Sequence, residues 1–290
     1  MSVIQENVKI VTTKDGLTKL IIHNSVAEAE IYLHGGHLTH YRVHGEPALI
    51  FDAKESSITP PKSVHAGIPI CWPWFGVHPT DSSKPQHGFA RDKVWTLKST
   101  QAATTDMTEV VLTLSDDKET QLLFPYAFAL ELTFSISKSL TISLKTVNID
   151  IRPFTITQAL HTYFAISNLE NITIKDVEET SFIDYADEKK EKSETLPLTI
   201  DQEVNRVYIP TQAACNIIDN ALNRKITIEK SGSNSTTIWN PGKESGIHDL
   251  PDDKYKKFVC IETTNALEDC RTLQPNESHT IKQKIVSETL

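Results

Sequence analysis

Two titratable side chains lie in apolar, strand-like segments of this sequence. His161 lies within QALHTYFAI, and Glu262 follows the apolar residues 258–261 in FVCIETTNA. An imidazole titrates near neutral pH, and partial desolvation raises the pKa of a carboxyl group. One group can therefore serve as a general acid and the other as a general base. A hydrogen-bonded histidine inside a sheet and a rim glutamate paired with a lysine are the alternative interpretations.

The segment around His161 predicts how its side chain is oriented. A strand over residues 154–166 places His161 in mid-strand. Successive side chains alternate between the faces of a sheet, so His161 shares a face with Ala159 and Tyr163. Glu262 is expected at the end of its own strand, before the polar residues 263–265.

A loop rich in aromatic residues, prolines and histidines runs over residues 60–95. It contains Trp72, Trp74 and Trp95, three of the four tryptophans in the chain. Proline fixes φ and removes a backbone donor, so this stretch is neither an ordinary helix nor a central strand. Aromatic faces beside polar groups suit a sugar ring, which predicts a binding surface. A proline-braced loop whose tryptophans cap a core explains the same composition.

The segment PQHGFARDKVW, which ends this loop, supplies polar groups for a binding site. Gln86, His87 and Arg91 precede a predicted strand. The guanidinium of Arg91 offers a planar fork for hydroxyls or a phosphate. An ion pair between Arg91 and Asp92, or another surface acid, is the alternative.

Four histidines in HGGHLTHYRVH have the residue type of metal ligands: His34, His37, His40 and His44. The neighbouring residues alternate as in a strand, which would place His37 on the face opposite the other three. We therefore expect no metal site there. The sequence also lacks a Gly-rich phosphate loop, a serine nucleophile elbow and an HExxH motif.

Charge and composition argue against several classes of partner. The 290 residues carry a formal net charge of -9, with a mean hydropathy of -0.29. Such an acidic balance disfavours nonspecific binding to nucleic acid or to anionic membranes. No secretory signal or membrane-spanning apolar run is recognisable. Four scattered cysteines without a CxxC motif predict free thiols in a reducing cytoplasm.

Alternating β-branched and polar residues predict an all-β protein built from antiparallel sheets. Strands are predicted over two segments within residues 19–33, and over 37–43, 47–51, 94–100, 108–116, 128–137, 139–149, 154–166, 172–177, 215–220, 225–231, 236–240, 258–263 and 279–286. Helical periodicity is nearly absent, and residues 186–194 are predicted to form a charged loop. No linker or repeat divides the chain, so we expect one β-sandwich domain over residues 1–290.

Seven sequence blocks resemble the aldose 1-epimerase superfamily, most closely its glucose-6-phosphate 1-epimerase (D-hexose-6-phosphate mutarotase) branch. They follow the family's order: GIPICWPWFG (67–76), PQHGFAR (85–91), ALHTYF (159–164), EVNRVY (203–208), TIWNPG (237–242), VCIETTNA (259–266) and LQPNES (273–278). The resemblance implies a single galactose-mutarotase-like β-supersandwich, with neither a metal nor an organic cofactor. It also implies a monomer whose partner is a sugar or a sugar phosphate.

The resemblance implies a mechanism for residues already singled out. Glu262 would take the proton of the anomeric hydroxyl while His161 protonates the ring oxygen, which opens the pyranose to the free aldehyde. Rotation about C1–C2 presents the other carbonyl face, and the same pair closes the ring as the other anomer. Gln86, His87 and Arg91 would hold the sugar. The aromatic loop, including Trp74, would wall the pocket.

Two positions depart from the family's pattern. His65 stands in HAGIP where the family usually has the arginine of RGGIP, and Asn205 stands in EVNRVY where an aspartate is usual. A mostly neutral imidazole should bind phosphate more weakly than a guanidinium. Asn205 can still hydrogen-bond a sugar hydroxyl. Lys62 and Lys93 are candidates for the missing positive charge.

The sequence thus predicts a hexose-6-phosphate mutarotase that interconverts α and β anomers, for example of glucose 6-phosphate. The departures at His65 and Asn205 keep two alternatives open. One is an aldose 1-epimerase that acts on an unphosphorylated sugar, and the other is a non-catalytic carbohydrate-binding protein with the same sandwich. Measuring the rate of anomer exchange of the phosphorylated and of the free sugar distinguishes these three hypotheses.

Overall fold

A computed structural model describes residues 6–52, 65–243 and 253–290 of the chain. The first nine strands in chain order are β1 (Val8–Thr12), β2 (Thr18–His23), β3 (Ala27–Tyr32), β4 (His37–Val43), β5 (Ile70–Cys71), β6 (Thr96–Thr104), β7 (Met107–Ser115), β8 (Phe128–Ile136) and β9 (Ser139–Asn148). One short α-helix, α1 (Lys118–Leu123), is found in these ranges. No helix in them has the length and apolar character needed to cross a membrane.

In the described residues, the second half of the chain adds thirteen strands. They are β10 (Phe154–Ile156), β11 (Gln158–Leu160), β12 (Tyr163–Ala165), β13 (Ile172–Lys175), β14 (Phe182–Asp184), β15 (Lys190–Lys192), β16 (Val204–Tyr208), β17 (Cys215–Asp219), β18 (Arg224–Ser231), β19 (Ser235–Asn240), β20 (Phe258–Asn265), β21 (Arg271–Leu273) and β22 (Ser278–Thr289). All strand pairings within the sheets are antiparallel. The predicted all-β, antiparallel class is therefore confirmed.

Two eight-stranded sheets make up most of the fold. The site sheet has the order β15–β14–β16–β19–β20–β11–β5, with β12 also paired to β20. The back sheet has the order β13–β17–β18–β22–β9–β8–β7–β6. Buried residues of both sheets, such as Ile261 of β20 and Ile285 of β22, belong to one hydrophobic cluster. This shared core holds the site sheet against the back sheet.

Strand β8 shows how the sequence specifies the core face. In FALELTFSI every second residue is buried and the residues between are half-buried. Leu132 and Phe134 are fully buried and pair with Leu144 and Ile142 of β9. Burial of each such side chain stabilises the fold by about 1.5–3 kcal/mol. Period-two alternation therefore fixes which face of β8 points inward.

Several strand predictions need correction. Residues 47–51 form no strand and contribute only a bridge between Ile50 and Phe164. The single strand predicted over 154–166 is divided into β10, β11 and β12. The charged segment 186–194, predicted as a loop, contains β15, where Lys192 forms an ion pair with Asp184. That ion pair links the short edge strand β15 to β14.

A β-bulge in β4 changes the predicted faces of the histidine tract. His37 pairs with Tyr32 and His40 pairs with Glu30, so β4 advances by three positions where β3 advances by two. Tyr32 and Glu30 share a face, which places His37 and His40 on one face as well. The prediction that His40 lies opposite His37 is therefore wrong, because strict alternation fails at a bulge.

The described part of the aromatic loop, residues 65–95, packs tightly against the core. Trp72 and Trp95 are almost completely buried. The Trp72 ring lies 4.3 Å from that of Phe128, measured between centroids. Gly88 has a φ of +74°, and a Cβ at this position would lie 2.0 Å from the Trp72 carbonyl oxygen. These two tryptophans belong to the core, as the alternative interpretation of the loop proposed.

Candidate active site

His161 lies opposite Glu262 in the register of the site sheet. Leu160 pairs with Thr263 and Tyr163 pairs with Cys260, so the two residues between them face positions 262 and 261. His161 Nε2 and Glu262 Oε1 are 3.4 Å apart. The imidazole and the carboxyl group therefore meet across neighbouring strands, although 101 positions separate them in the sequence.

Both residues sit differently from the sequence-based prediction. His161 falls in the break between β11 and β12, where its amide donates to the Pro69 carbonyl at 3.1 Å instead of to β20. Glu262 lies in the middle of β20, since that strand continues to Asn265. The predicted shared face of His161 and Tyr163 is present, because their rings stack at 4.9 Å with planes 10° apart.

A cavity of about 390 Å³ opens above the pair. Its size lies within the range of small-ligand sites. The structure brings seven of the eight predicted site residues to its wall: His65, Gln86, His87, Arg91, His161, Asn205 and Glu262. They come from the loop before β6, from β16, from β20 and from the junction of β11 and β12. The fold thus gathers them from distant parts of the chain.

Trp74 is the predicted site residue that does not line this cavity. Its side chain is 5% exposed, and its indole N–H donates to the Pro85 carbonyl at 2.8 Å. Phe75 and Val77, its neighbours in the loop, form the wall there. Trp239 of β19 is the tryptophan that faces the cavity. The predicted aromatic wall therefore comes from other residues, because the side chain of Trp74 is turned toward the core.

His87 is held as a hydrogen-bond donor toward the cavity. Its Nδ1 accepts from the Gly76 amide at 3.2 Å, so the hydrogen of a neutral ring resides on Nε2. Burial, helped by Arg91 and then by His65, lowers the pKa of His87 to about 3. The backbone of His87 has a φ of +66°, which is uncommon for a residue with a side chain. His87 therefore stays uncharged at neutral pH.

Burial favours the uncharged form of both His161 and Glu262. It raises the pKa of Glu262 well above the usual range, which the positive charge of Arg91 opposes. Burial, together with His87, Arg91 and His65, lowers the pKa of His161 well below its usual value. His161 Nδ1 and Glu262 Oε2 have no hydrogen-bond partner among the described residues. Two buried polar atoms of the pair thus lack a protein partner within the described structure.

Arg91 brings a guanidinium to the cavity wall. Its Nη2 donates to the Gln86 carbonyl at 2.8 Å, and its buried Nε has no partner in the described ranges. Lys93, one of the two candidates for an additional cation, does not line the cavity and forms an ion pair with Glu119 at 2.6 Å. Lys62, the other candidate, lies outside the described residues.

Most of the chain matches a known family. A model described as Aldose 1-epimerase matches residues 18–286. The chain belongs to the aldose 1-epimerase family. A protein of Escherichia coli (strain K12) named "Putative glucose-6-phosphate 1-epimerase" is 32% identical over 91% of this chain and 89% of its own length. A Cenchrus ciliaris protein of the same name is 30% identical, over 93% and 84%.

A solved structure has the same fold as this epimerase. The structure from Salmonella typhimurium titled "a putative mutarotase" aligns with a TM-score of 0.92 at 27% identity, over 100% of this chain and 96% of the other. The fold is the galactose-mutarotase-like β-supersandwich that the sequence resemblance implied. The chain is an isomerase of the epimerase type that binds a sugar substrate.

Sequence reasoning missed several residues of the epimerase cavity. Thr237, Tyr185 and Trp239 line it, but only Thr237 and Trp239 fall in a recognised block, TIWNPG. Thr237 pairs with Glu262 in the register of β19 and β20, and its buried hydroxyl has no partner in the described structure. No sequence signal separates such a threonine from the many others in strands, because the register alone places it there.

The three side chains His23, Glu28 and His44 approach one another elsewhere in the epimerase. One potential ligand atom from each lies within 4.8 Å of the others. The Glu28 carboxylate already pairs with Arg42 at 2.6 Å and with His40 at 3.2 Å. None of these residues lines the cavity. The cluster is therefore separate from the sugar site.

Proposed function

We propose that this epimerase interconverts the α and β anomers of a hexose 6-phosphate by acid and base catalysis at His161 and Glu262. One observation carries the proposal: the two side chains meet at 3.4 Å in the wall of a sugar-sized cavity. Each keeps one buried polar atom without a partner among the described residues. Membership of the family favours an enzyme over a non-catalytic binding protein.

The proposed reaction moves one proton onto the ring oxygen and another off the anomeric hydroxyl. Glu262 accepts the hydroxyl proton as the C1–O5 bond breaks, and His161 donates its proton to O5. The product of this step is the open-chain aldehyde. After rotation about C1–C2, His161 takes the proton back from the C5 hydroxyl and Glu262 returns its proton to the carbonyl oxygen.

The electrostatics of His161 and Glu262 are consistent with these two proton transfers. A neutral imidazole beside a carboxylic acid holds one ionisable proton, and so does an imidazolium beside a carboxylate. Burial favours the first form, whereas Arg91 favours the carboxylate of the second. The reaction needs Glu262 as a carboxylate and His161 as an imidazolium, so in the neutral form the single proton of the pair first passes from Glu262 to His161.

Two further residues would position the sugar. Neutral His87 offers its Nε2 hydrogen to a hydroxyl of the substrate, since its Nδ1 is occupied by the Gly76 amide. Asn205 offers both a donor and an acceptor from the opposite wall. Trp239 lies edge-on to His161, 6.0 Å between ring centroids, and presents an apolar surface to the sugar ring.

The phosphorylated substrate rests on the names of the relatives and on Arg91. Both relatives described above are named for glucose 6-phosphate, and the guanidinium of Arg91 can donate hydrogen bonds to a phosphate. His65 lines the cavity where an arginine is usual, which favours an unphosphorylated aldose as the second candidate. One additional positive charge at position 65 would shift the preference from the unphosphorylated aldose toward the phosphorylated sugar.

We further infer that the chain acts as one domain and as a monomer. The four cysteines are free, and Cys270 is exposed. An exposed free thiol persists in a reducing compartment, which supports a cytoplasmic location.

The proposal is tested by NMR exchange spectroscopy of the two anomers. Glucose 6-phosphate and free glucose are measured with the wild type, with His161→Gln and with Glu262→Gln. We expect the wild type to accelerate exchange of the phosphate ester, and both variants to lose the acceleration while remaining folded. Acceleration of free glucose alone would establish the second candidate. Full activity in both variants would refute the catalytic roles.

A further inference from the structure

Gln283 is a polar residue in an otherwise apolar stripe of the back sheet. It lies on β22, where Ile281 and Ile285 share its face and all three side chains are fully buried. β22 pairs with β9 and β18, so Gln283 has no backbone contact with the strands that carry the active site. Its carboxamide nevertheless reaches across the core to the site sheet.

Three hydrogen bonds connect this carboxamide to the site sheet. Its Oε1 accepts from the Thr162 hydroxyl at 2.5 Å. Its Nε2 donates to the Thr263 hydroxyl at 3.0 Å and to the Ile261 carbonyl at 3.2 Å. A carbonyl oxygen only accepts, so the nitrogen end must face Ile261, which fixes the orientation of the amide.

The residues that Gln283 contacts are the chain neighbours of the proposed catalytic pair. Thr162 follows His161 directly, and Ile261 and Thr263 stand on either side of Glu262. The contact occurs at the break between β11 and β12, where the Ile261 amide donates to the Thr162 carbonyl at 3.2 Å. Gln283 therefore reinforces the site sheet at the point where its own ladder is interrupted.

We propose that Gln283 is a positioning residue that sets the spacing between His161 and Glu262. Side chains of successive strand residues point to opposite faces, so Thr162 and Thr263 point into the core while the pair points into the cavity. One carboxamide holds both backbones from the core side. Gln283 is not among the residues that line the cavity, so it acts through residues that do. The inference rests on the catalytic roles proposed above.

The energetic cost of a buried carboxamide supports a positioning role. An apolar side chain at position 283 would continue the stripe of Ile281 and Ile285 and leave the hydroxyls of Thr162 and Thr263 with fewer partners. Buried polar groups without partners are costly, and fully bonded networks in a core favour one arrangement. Acid and base groups need such fixed geometry, because a displacement of about 1 Å can cost about 10²-fold in rate.

The test replaces two buried carboxamides, those of Gln283 and Asn148, with apolar side chains of similar shape and compares the variants. Gln283→Met removes the three hydrogen bonds behind the active site. Asn148→Leu is the matched control: Asn148 is fully buried, bonds Arg152, Leu273 and Asp150, and lies away from the cavity. Each variant is assayed for kcat and KM of anomer exchange, for Tm, and for the ¹⁵N shifts of His161.

We expect Gln283→Met to lower kcat about 10–100-fold with KM little changed. Asn148→Leu should lose similar stability and keep its kcat. A merely structural role for Gln283 would instead give equal kcat in the two variants, which would overturn the inference. If Gln283→Met fails to fold, Thr162→Val removes only the bond next to His161 and should lower kcat about 10-fold.

The two proposals fail in distinguishable ways. A wild type that accelerates no anomer exchange contradicts the proposed function. The ¹⁵N shifts of His161 then decide the positioning role, because they report the ring's environment without turnover. A change in Gln283→Met that is absent in Asn148→Leu supports the role. Identical His161 shifts in the wild type and in both variants refute it.

Discussion

Thr237 lies opposite Glu262 in the register of β19 and β20, and its buried hydroxyl has no hydrogen-bond partner among the described residues. Both side chains line the cavity. A desolvated hydroxyl beside a desolvated carboxyl oxygen is costly unless something bonds it. In the proposed reaction, the bound sugar would supply the missing partner, and the threonine would orient the hydroxyl that Glu262 deprotonates.

We expect Thr237→Val to lower kcat/KM for anomer exchange about 10-fold, because one hydrogen bond to the substrate is lost. Stability should stay the same or rise slightly, since the substitution removes an unbonded polar atom. Thr236→Val is the control, because the Thr236 hydroxyl bonds Lys230 Nζ at 2.7 Å and faces away from the cavity. It should lose stability and keep its activity. Equal activity in Thr237→Val and the wild type would show that the hydroxyl is not used.

The proposed catalytic pair, His161 and Glu262, should behave as a unit. His161→Gln and Glu262→Gln are each expected to slow exchange about 10²–10⁴-fold, since each removes one half of a coupled proton transfer. The double variant should be about as slow as either single variant, because the remaining partner has no function alone. Rate losses that multiply in the double variant would contradict the shared step. Circular dichroism and Tm serve as the controls for folding.

The rate should vary little with pH near neutrality. The pair works while it holds one proton; a second proton is added only below the lowered pKa of His161, and the first is lost only above the raised pKa of Glu262. We therefore expect kcat to stay level across the neutral pH range. An acid limb near the ordinary histidine pKa would contradict this. Free glucose is the control substrate, because a phosphate monoester itself titrates near pH 6.

Position 65 should control the preference between phosphorylated and free sugar. We expect His65→Arg to lower KM for glucose 6-phosphate about 10-fold, since a charge-assisted bond to phosphate contributes about 1.5–3 kcal/mol. Exchange of free glucose should change little. His78→Arg adds the same charge in the same loop outside the cavity and should have no such effect. Equal gains in both variants would indicate general electrostatic attraction only.

Alternation and turn residues predicted most strands, because in strands such as β8 one face is more deeply buried than the other. The pattern of β8 specifies its core face by itself. Strands at the edge of the site sheet were harder to predict: β15 is highly charged, and its Lys192 forms an ion pair with Asp184 of β14. The bulge that brings His37 and His40 to one face has no local signal in the sequence.

The candidate site was predictable where residue type and block order coincide, as for His161, Glu262 and Arg91. Thr237 and Gln283 were missed, because their importance comes from register and from contact across the core. Trp74 was included because its type suits a sugar, but the side chain is turned into the core and donates to Pro85. Sequence reasoning therefore identified reactive groups better than the groups that orient them.

The position of β22 has a consequence for synthesis of the chain. This strand lies between β18 and β9 in the back sheet. It joins a three-stranded part (β13, β17 and β18) to a four-stranded part (β9, β8, β7 and β6). Until residues 278–289 have left the ribosome, β9 and β18 each expose an unpaired edge, the kind of surface that promotes aggregation. Gln283 lies on the same strand, so it takes its place in the core when β22 pairs. A nascent chain therefore gains protection of its sheet edges and support for its active site in one late event.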